Sequence, residues 1–188
     1  MPRVHVPDDH AHDPSAFVWS HYAPEIAKGA AGYIQAVYTK SLMSLRELEA
    51  ARIRTAQING CALCLGMRSA RDLGGYLQNS GVDPQQAVSA RGDPEPDETF
   101  YAEIGATPTW SGFSARERLI IEYAGRMGEA PQGIKHDDAF WEQMHASFSD
   151  AEIVDVTFCI GAWMALGRLT HVLDLDGGCM VPARAEAA

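Results

Sequence analysis

The sequence is short of positive charge. Fifteen Lys and Arg stand against twenty-five Asp and Glu, a formal net charge of −10, and no Lys/Arg cluster breaks that balance locally. Such a surface repels phosphate backbones and anionic headgroups, which sets aside nucleic acid and membranes as partners. Long apolar runs are also missing. The best stretch, Ile153 to Leu166, contains Asp155 and falls short of the roughly 20 residues that span a bilayer, so it reads as a buried helix. The opening residues, Met1 to His10, hold no apolar core of the length of a secretory signal and no small-residue cleavage site. The expectation is a cytoplasmic protein. Strict alternation of apolar and polar residues is nearly absent, and with it the material for an antiparallel sheet.

Cysteine is scarce too, with four in 188 residues. In a reducing compartment these do not make a disulfide framework, and a close Cys-x-x-Cys pair there is more often catalytic or metal-binding than structural. Cys61 and Cys64 form such a pair. Zinc would need two further ligands, and no second Cys-x-x-Cys exists; Cys159 sits in an apolar helical stretch and Cys179 in a Gly-rich tail. Leu65 stands where a c-type haem motif requires His. The readings left are a redox pair, which needs no metal or organic cofactor, half of a zinc site, or an inert buried pair.

What the chain has in quantity is helical signal. Ser44, Ser114 and Ser149 each open a Ser-x-x-Glu capping box. Behind Ser114 come Leu119, Ile120, Tyr123, Ala124 and Met127 at helical spacing, and behind Ser149 come Ile153, Val156, Ile160, Trp163, Met164 and Leu169. The pattern predicts one or two helices over Pro14 to Tyr38, interrupted in signal by Pro24 and Gly29. Further helices are predicted at Leu45 to Ile58, Ala62 to Gln78, Asp97 to Ile104 and Asp137 to Phe148. Residues 80–112, rich in Pro, Gly, Asp and Glu, read as a loop-rich connection between two helical halves. Length and composition fit one all-α domain over 1–188, with 176–188 as a tail.

Asn59-Gly60 ends one helix and starts the next. That puts Cys61 at a helix N-terminus, where unpaired N–H groups and the helix dipole favour a thiolate. Residues three apart share a helical face, so Cys64 sulfur can reach Cys61 sulfur across one turn and close a disulfide. Arg68 follows at i+4 from Cys64 and i+7 from Cys61, so all three lie along one stripe of the predicted helix; its guanidinium can hold a thiolate but cannot shuttle protons.

Glu49, the run Gln57-Ile58-Asn59-Gly60-Cys61-Ala62-Leu63-Cys64 and the following helix resemble the alkylhydroperoxidase D-like, or carboxymuconolactone decarboxylase, family. The family pattern is a Glu twelve residues before the first Cys, a helix ending Gln-x-Asn-Gly, the Cys-x-x-Cys, and a His four residues later. Phe113 to Arg118 and Phe148 to Arg168 are similar to the family's C-terminal helices, so the resemblance covers about 33–175. It implies an all-α bundle assembled as a homo-trimer or hexamer. It further implies that Cys64 attacks peroxide and becomes a sulfenic acid, that Cys61 donates a proton and resolves, and that Glu49 is a relay carboxylate. The helix-dipole reasoning alone favours Cys61 as the more acidic thiol.

The chain departs from the pattern at position 68, where Arg replaces the relay His. A proton-transfer group needs a pKa near the working pH, and Arg is too basic. Glu49 with water, or another histidine such as His171 or His145, is left to carry the proton; each of those histidines otherwise reads as a packing or surface residue. Without its spacing to Cys61, Glu49 would read as a solvated charge or as the i, i+3 partner of Arg52. Phe100, Tyr101 and Trp110 either cover a pocket or pin the 80–112 connection to the core.

The leading reading is a thiol-dependent peroxidase or disulfide oxidoreductase acting on a hydroperoxide or disulfide, with Cys64, Cys61, Glu49 and Arg68 at its site and an external dithiol as reductant. Two alternatives are a decarboxylase-like acid–base enzyme, disfavoured because decarboxylating members typically lack the Cys pair, and a non-catalytic redox-sensing oligomer.

Overall fold

The structure, a computed structural model, describes residues 1–175. Cys179 and the tail at 176–188 lie outside them. The described residues form ten α-helices and no strand: α1 (Pro14–Tyr22), α2 (Pro24–Lys40), α3 (Leu45–Asn59), α4 (Ala62–Gly66), α5 (Ser69–Asn79), α6 (Glu98–Glu103), α7 (Ala115–Glu129), α8 (Pro131–Ile134), α9 (Asp138–Ser147) and α10 (Asp150–Val172).

All three Ser-x-x-Glu boxes form. Ser44, Ser114 and Ser149 cap α3, α7 and α10, and Glu47, Glu117 and Glu152 close the boxes reciprocally. Each of these glutamates also takes an arginine from another helix. Arg116 of α7 binds Glu47 and Glu152, and Arg46 of α3 binds Glu117 at 2.6 Å. The N-termini of α3, α7 and α10 are thereby tied into one ionic cluster, which aligns them side by side.

The centre of the bundle is α3, packed against α7 on one side and α10 on the other. Leu48, Ala50, Ala51, Ile120, Ile121, Val156 and Ile160 between them are fully buried, each large side chain contributing about 1.5–3 kcal/mol. α10 is long and apolar enough to cross a membrane by length and composition alone. Its buried residues face α2, α3 and α7, as those of a core helix do. Asp155, the charge inside that apolar run, accepts from Ser41 Oγ at 2.6 Å and the Leu42 N–H at 3.1 Å, fixing the α2–α3 link.

Pro24, which blurs the sequence signal, begins α2 as its first residue, where a missing N–H costs nothing. The 80–112 connection holds two 3-10 turns, Pro84–Gln86 and Val88–Ala90, besides α6. The largest difference from expectation is the segment 62–78, which is two helices. Met67 and Arg68 are extended (φ −71°, ψ 143° and φ −127°, ψ 116°), and α5 restarts at Ser69. Arg68 therefore does not continue a helical stripe from Cys61 and Cys64.

Candidate active site

α3 stops at Gly60, whose left-handed backbone (φ 66°, ψ 22°) is favourable for glycine. Asn59 docks this end onto α10: its amide donates to the Trp163 carbonyl at 2.9 Å, and its Oδ1 accepts from Arg168 Nε at 3.1 Å. Gly167 makes room for that amide, since a Cβ there would lie 2.5 Å from Asn59 Nδ2. The chain then turns sharply, and Cys61 becomes the N-cap of α4, its Sγ accepting the Cys64 N–H at 3.3 Å. Cys61 is fully buried and Cys64 is partly exposed; both carry thiols. With only five residues in α4, the dipole at Cys61 is small, and access ranks Cys64 as the thiol a substrate meets first.

Beneath this turn lies a buried ion pair. Glu49 has no exposed surface, and Arg52 grips it with Nε–Oε1 at 2.6 Å and Nη2–Oε2 at 2.8 Å. The carboxylate also accepts from Ser69 Oγ (2.6 Å), the Ser69 N–H (3.2 Å) and Tyr101 Oη (2.7 Å). The Ser69 N–H is the first of α5, an unpaired helix-end donor attracted to an anion. This bond explains why the helix breaks at Met67–Arg68: the buried carboxylate takes the N-terminus of a new helix. Burial pushes the Glu49 carboxyl upward, but Arg52, Ser69 and Tyr101 outweigh it and hold it below the usual carboxylate range. Arg52 also donates to the Cys64 carbonyl, and to that of Met67 at 2.7 Å. Glu49 is thus connected to the Cys64 backbone through Arg52.

Arg68 is engaged elsewhere. Its guanidinium binds Glu98 at 2.9 and 3.0 Å, donates to the carbonyls of Leu65 and Met67, and lies 3.9 Å over the ring of Tyr101. It fastens α6 to the α4–α5 joint. Phe100 and Tyr101 are buried, with Phe100 edge-on to Phe113 and under Arg46; they pin the connection to the core.

Ser69 joins the site without any signal in the sequence, while Arg52, read there only as an i, i+3 partner of Glu49, and Tyr101, read as covering a pocket or pinning the connection, both close on the Glu49 carboxylate. Tyr38 belongs there as well: buried, it accepts from Trp163 Nε1 at 3.2 Å, and burial raises its hydroxyl pKa, with Arg52, Glu49 and Cys64 all felt at its oxygen. Of the two histidines considered, His145 pairs with Asp150 at 3.3 Å on the exposed surface. His171, near the end of α10, lays its imidazole against Gly60. Cys159 is buried beside Ser41 and Asp155, and burial pushes its thiol up to about 12. Among the described residues no three His, Cys, Asp or Glu side chains gather as a metal site would require. A half-open apolar cavity of about 690 Å³ lies between α1, α2 and the second half of α10, lined by Trp19, Ala27, Ile34, Leu166, Leu169 and Tyr76 among others. Tyr76 meets the ring of Tyr38 edge-on, so one cavity wall backs onto the site.

No protein-family model matches the sequence, and no curated protein does. The fold is similar to that of a protein of unknown function from Agrobacterium tumefaciens described as a candidate antioxidant defence protein AhpD. That likeness has a TM-score of 0.61 at 21% identity over 83% of this chain and 92% of the other. It is similar also to an uncharacterized peroxidase-related protein from Silicibacter sp. TM1040, with a TM-score of 0.53 at 17% identity over 82% of this chain and 71% of the other. The chain has the all-α fold of alkylhydroperoxidase D-like proteins.

Proposed function

We propose that the protein is a thiol-dependent peroxidase or disulfide oxidoreductase working through Cys64 and Cys61. The observation that carries this reading is the pair itself: a partly exposed Cys64 one helical turn from a buried Cys61, whose Sγ already accepts the Cys64 N–H. Cys64 thiolate attacks the terminal oxygen of a hydroperoxide, the O–O bond breaks, and an alcohol leaves once protonated. The Cys64 sulfenic acid then condenses with Cys61, releasing water, and an external dithiol reduces the disulfide. The neighbouring folds, described as antioxidant and peroxidase-related, agree with this chemistry.

In this reading Glu49 is a positioning residue. A carboxylate held below its usual range by five donors is a poor proton carrier near neutral pH. Its work is to fix Arg52, which holds the Cys64 and Met67 carbonyls and so sets the α4 turn. Arg68 secures α6 over the same joint. The apolar cavity behind Tyr76 favours an alkyl over a small inorganic peroxide. Exposed apolar residues on α2 and α10, Ile26 (79%), Phe158 (61%) and Val172 (70%), are suited to association of like subunits.

A second reading, a redox sensor that forms the disulfide without rapid turnover, is favoured by Arg68 in place of a titratable residue. Reduced protein incubated with cumene hydroperoxide and dithiothreitol separates the two. A peroxidase consumes many equivalents of peroxide rapidly and loses that activity in Cys64→Ser; a sensor consumes one equivalent before dithiothreitol is added and turns over only slowly after it. Absence of any cysteine-dependent reaction excludes both.

A further inference from the structure

We propose that His171 is the base that serves Cys61 when the Cys61–Cys64 disulfide closes, taking the proton-transfer place that Arg68 cannot fill. The inference rests on the thiol-redox reading and adds to it the residue that moves the proton.

The geometry comes from the junction of α3 and α10. Gly60 immediately precedes Cys61, and the imidazole of His171 covers it: Cε1 is 3.1 Å, and Nδ1 and Nε2 are each 3.4 Å, from where a Cβ on Gly60 would sit. A side chain at position 60 would displace the ring. The approach is held in place by Asn59, bonded to the Trp163 carbonyl and to Arg168. Positions 163, 167 and 171 follow one another at four-residue spacing along this face of α10, so Trp163, Gly167 and His171 meet Asn59 and Gly60 in succession. Imidazole, unlike guanidinium, gives and takes protons near neutral pH.

Of the charged groups near His171, Asp174 is bound by the Met1 amine and feels both Arg3 and His171. Arg168, on the same helix, is turned toward Asn59 and the Gly128 carbonyl. Across the junction lie Asn59 and Gly60, with Cys61 next in the chain. Glu49 is sealed in its pair with Arg52.

In the step, the Cys61 thiol gives its proton to the imidazole, and its sulfur attacks the Cys64 sulfenic sulfur. The S–S bond forms as the S–O bond breaks, and the departing hydroxyl takes the proton from the imidazolium and leaves as water. The sulfenic sulfur is reduced as the Cys61 sulfur is oxidised, and the hydroperoxide that made the sulfenic acid is the only oxidant.

The 188-residue chain and its His171→Gln variant, with His145→Gln as control, are mixed with one equivalent of cumene hydroperoxide. Disulfide closure is followed by quenched intact mass, and sulfenic acid by dimedone capture. Closure in His171→Gln is expected to slow about a hundredfold, its pH dependence to flatten, and the dimedone adduct to accumulate on Cys64, while sulfenic acid formation and the His145→Gln protein match the parent. Closure at the parental rate in His171→Gln overturns the proposal. A second arm needs no peroxide: in a Cys64→Ser background, the rate of Cys61 modification by methyl methanethiosulfonate near neutral pH is compared with and without His171. A clear drop on removing His171 supports the proposal, and equal rates overturn it. A parent protein that forms neither sulfenic acid nor disulfide refutes the redox reading itself, and the second arm still decides the role of His171.

Discussion

Arg52 binds both oxygens of Glu49 inside α3 and, with its remaining donors, the carbonyls of Cys64 and Met67. One guanidinium, 1% exposed on its side chain, therefore links a buried carboxylate to the backbone of the thiol turn. The neighbouring hydrogen bonds from Ser69 and Tyr101 leave Glu49 fully satisfied, which is how an ion pair persists in a core.

Removing one partner should be far worse than removing both. Arg52→Met leaves a buried carboxylate without its counter-charge and is expected to cost about 3–5 kcal/mol in urea unfolding. Arg52→Met combined with Glu49→Gln should cost less than the sum of the single changes. Strict additivity would show that the two residues do not act as a pair.

Acid should destabilise the fold in a defined window. Backbone and side-chain bonds from Ser149, with Arg116, lower the Glu152 carboxyl to about 2. Burial raises Glu47 and Glu49, but Arg116 and Ser44 in the first case, and Arg52, Ser69 and Tyr101 in the second, bring both below their ordinary 4.5. Carboxyls lowered by folding bind fewer protons in the folded than in the unfolded chain. Their stabilisation is complete above about pH 4.5 and is lost as the pH falls through the folded values. Thermal midpoints should be level from pH 7 to pH 5 and fall steadily toward pH 3; a midpoint that holds or rises toward pH 3 contradicts this.

Much of the fold was legible because its signals are local. Ser44, Ser114 and Ser149 each announce a helix within four residues, and all three helices form as the pattern states. The break at Met67–Arg68 was not legible, because its cause is Glu49, twenty residues earlier in the chain, whose carboxylate captures the Ser69 N–H and hydroxyl. Arg52 was visible as an i, i+3 partner of Glu49, but nothing nearby showed that both would be buried in the central helix. Tyr101 lies on the short helix predicted at Asp97 to Ile104, but nothing local shows that its hydroxyl reaches Glu49, and His171 reaches Gly60 from more than a hundred residues along the chain.

Cysteine reactivity should divide sharply. Cys159, with its thiol pushed up to about 12 by burial, is predicted to resist iodoacetamide at pH 8 in the folded protein, while Cys64 is alkylated well before it. Peptide mapping over a time course checks the order. Early modification of Cys159 would show that its site is open.

Arg68→Ala should loosen α6 rather than unfold the bundle. Its partner Glu98 is 76% exposed on its side chain, so the ion pair contributes about 1 kcal/mol or less. The expected signature is faster hydrogen exchange across 98–103 with little change in the exchange of α7. Arg68→His should likewise give no gain in peroxide turnover, because it removes the tie to α6 without moving His171.

Gly167→Ala should be costly for so small a change. The added Cβ would lie 2.5 Å from the Asn59 amide, and overpacking of this kind costs about 1–3 kcal/mol. Displacing Asn59 should also shift the Gly60–Cys61 turn, so disulfide closure should slow together with the loss in thermal midpoint. A variant as stable as the parent would show that Asn59 is not locked in this arrangement.

The most direct measurement treats reduced protein with cumene hydroperoxide and maps the product by mass spectrometry. The predicted result is a protein lighter by two hydrogens with Cys61 joined to Cys64, restored by dithiothreitol with renewed peroxide consumption and absent from Cys64→Ser and Cys61→Ser. Peroxide consumed equally by both serine variants, or an oxidised protein with no Cys61–Cys64 bond, would contradict it.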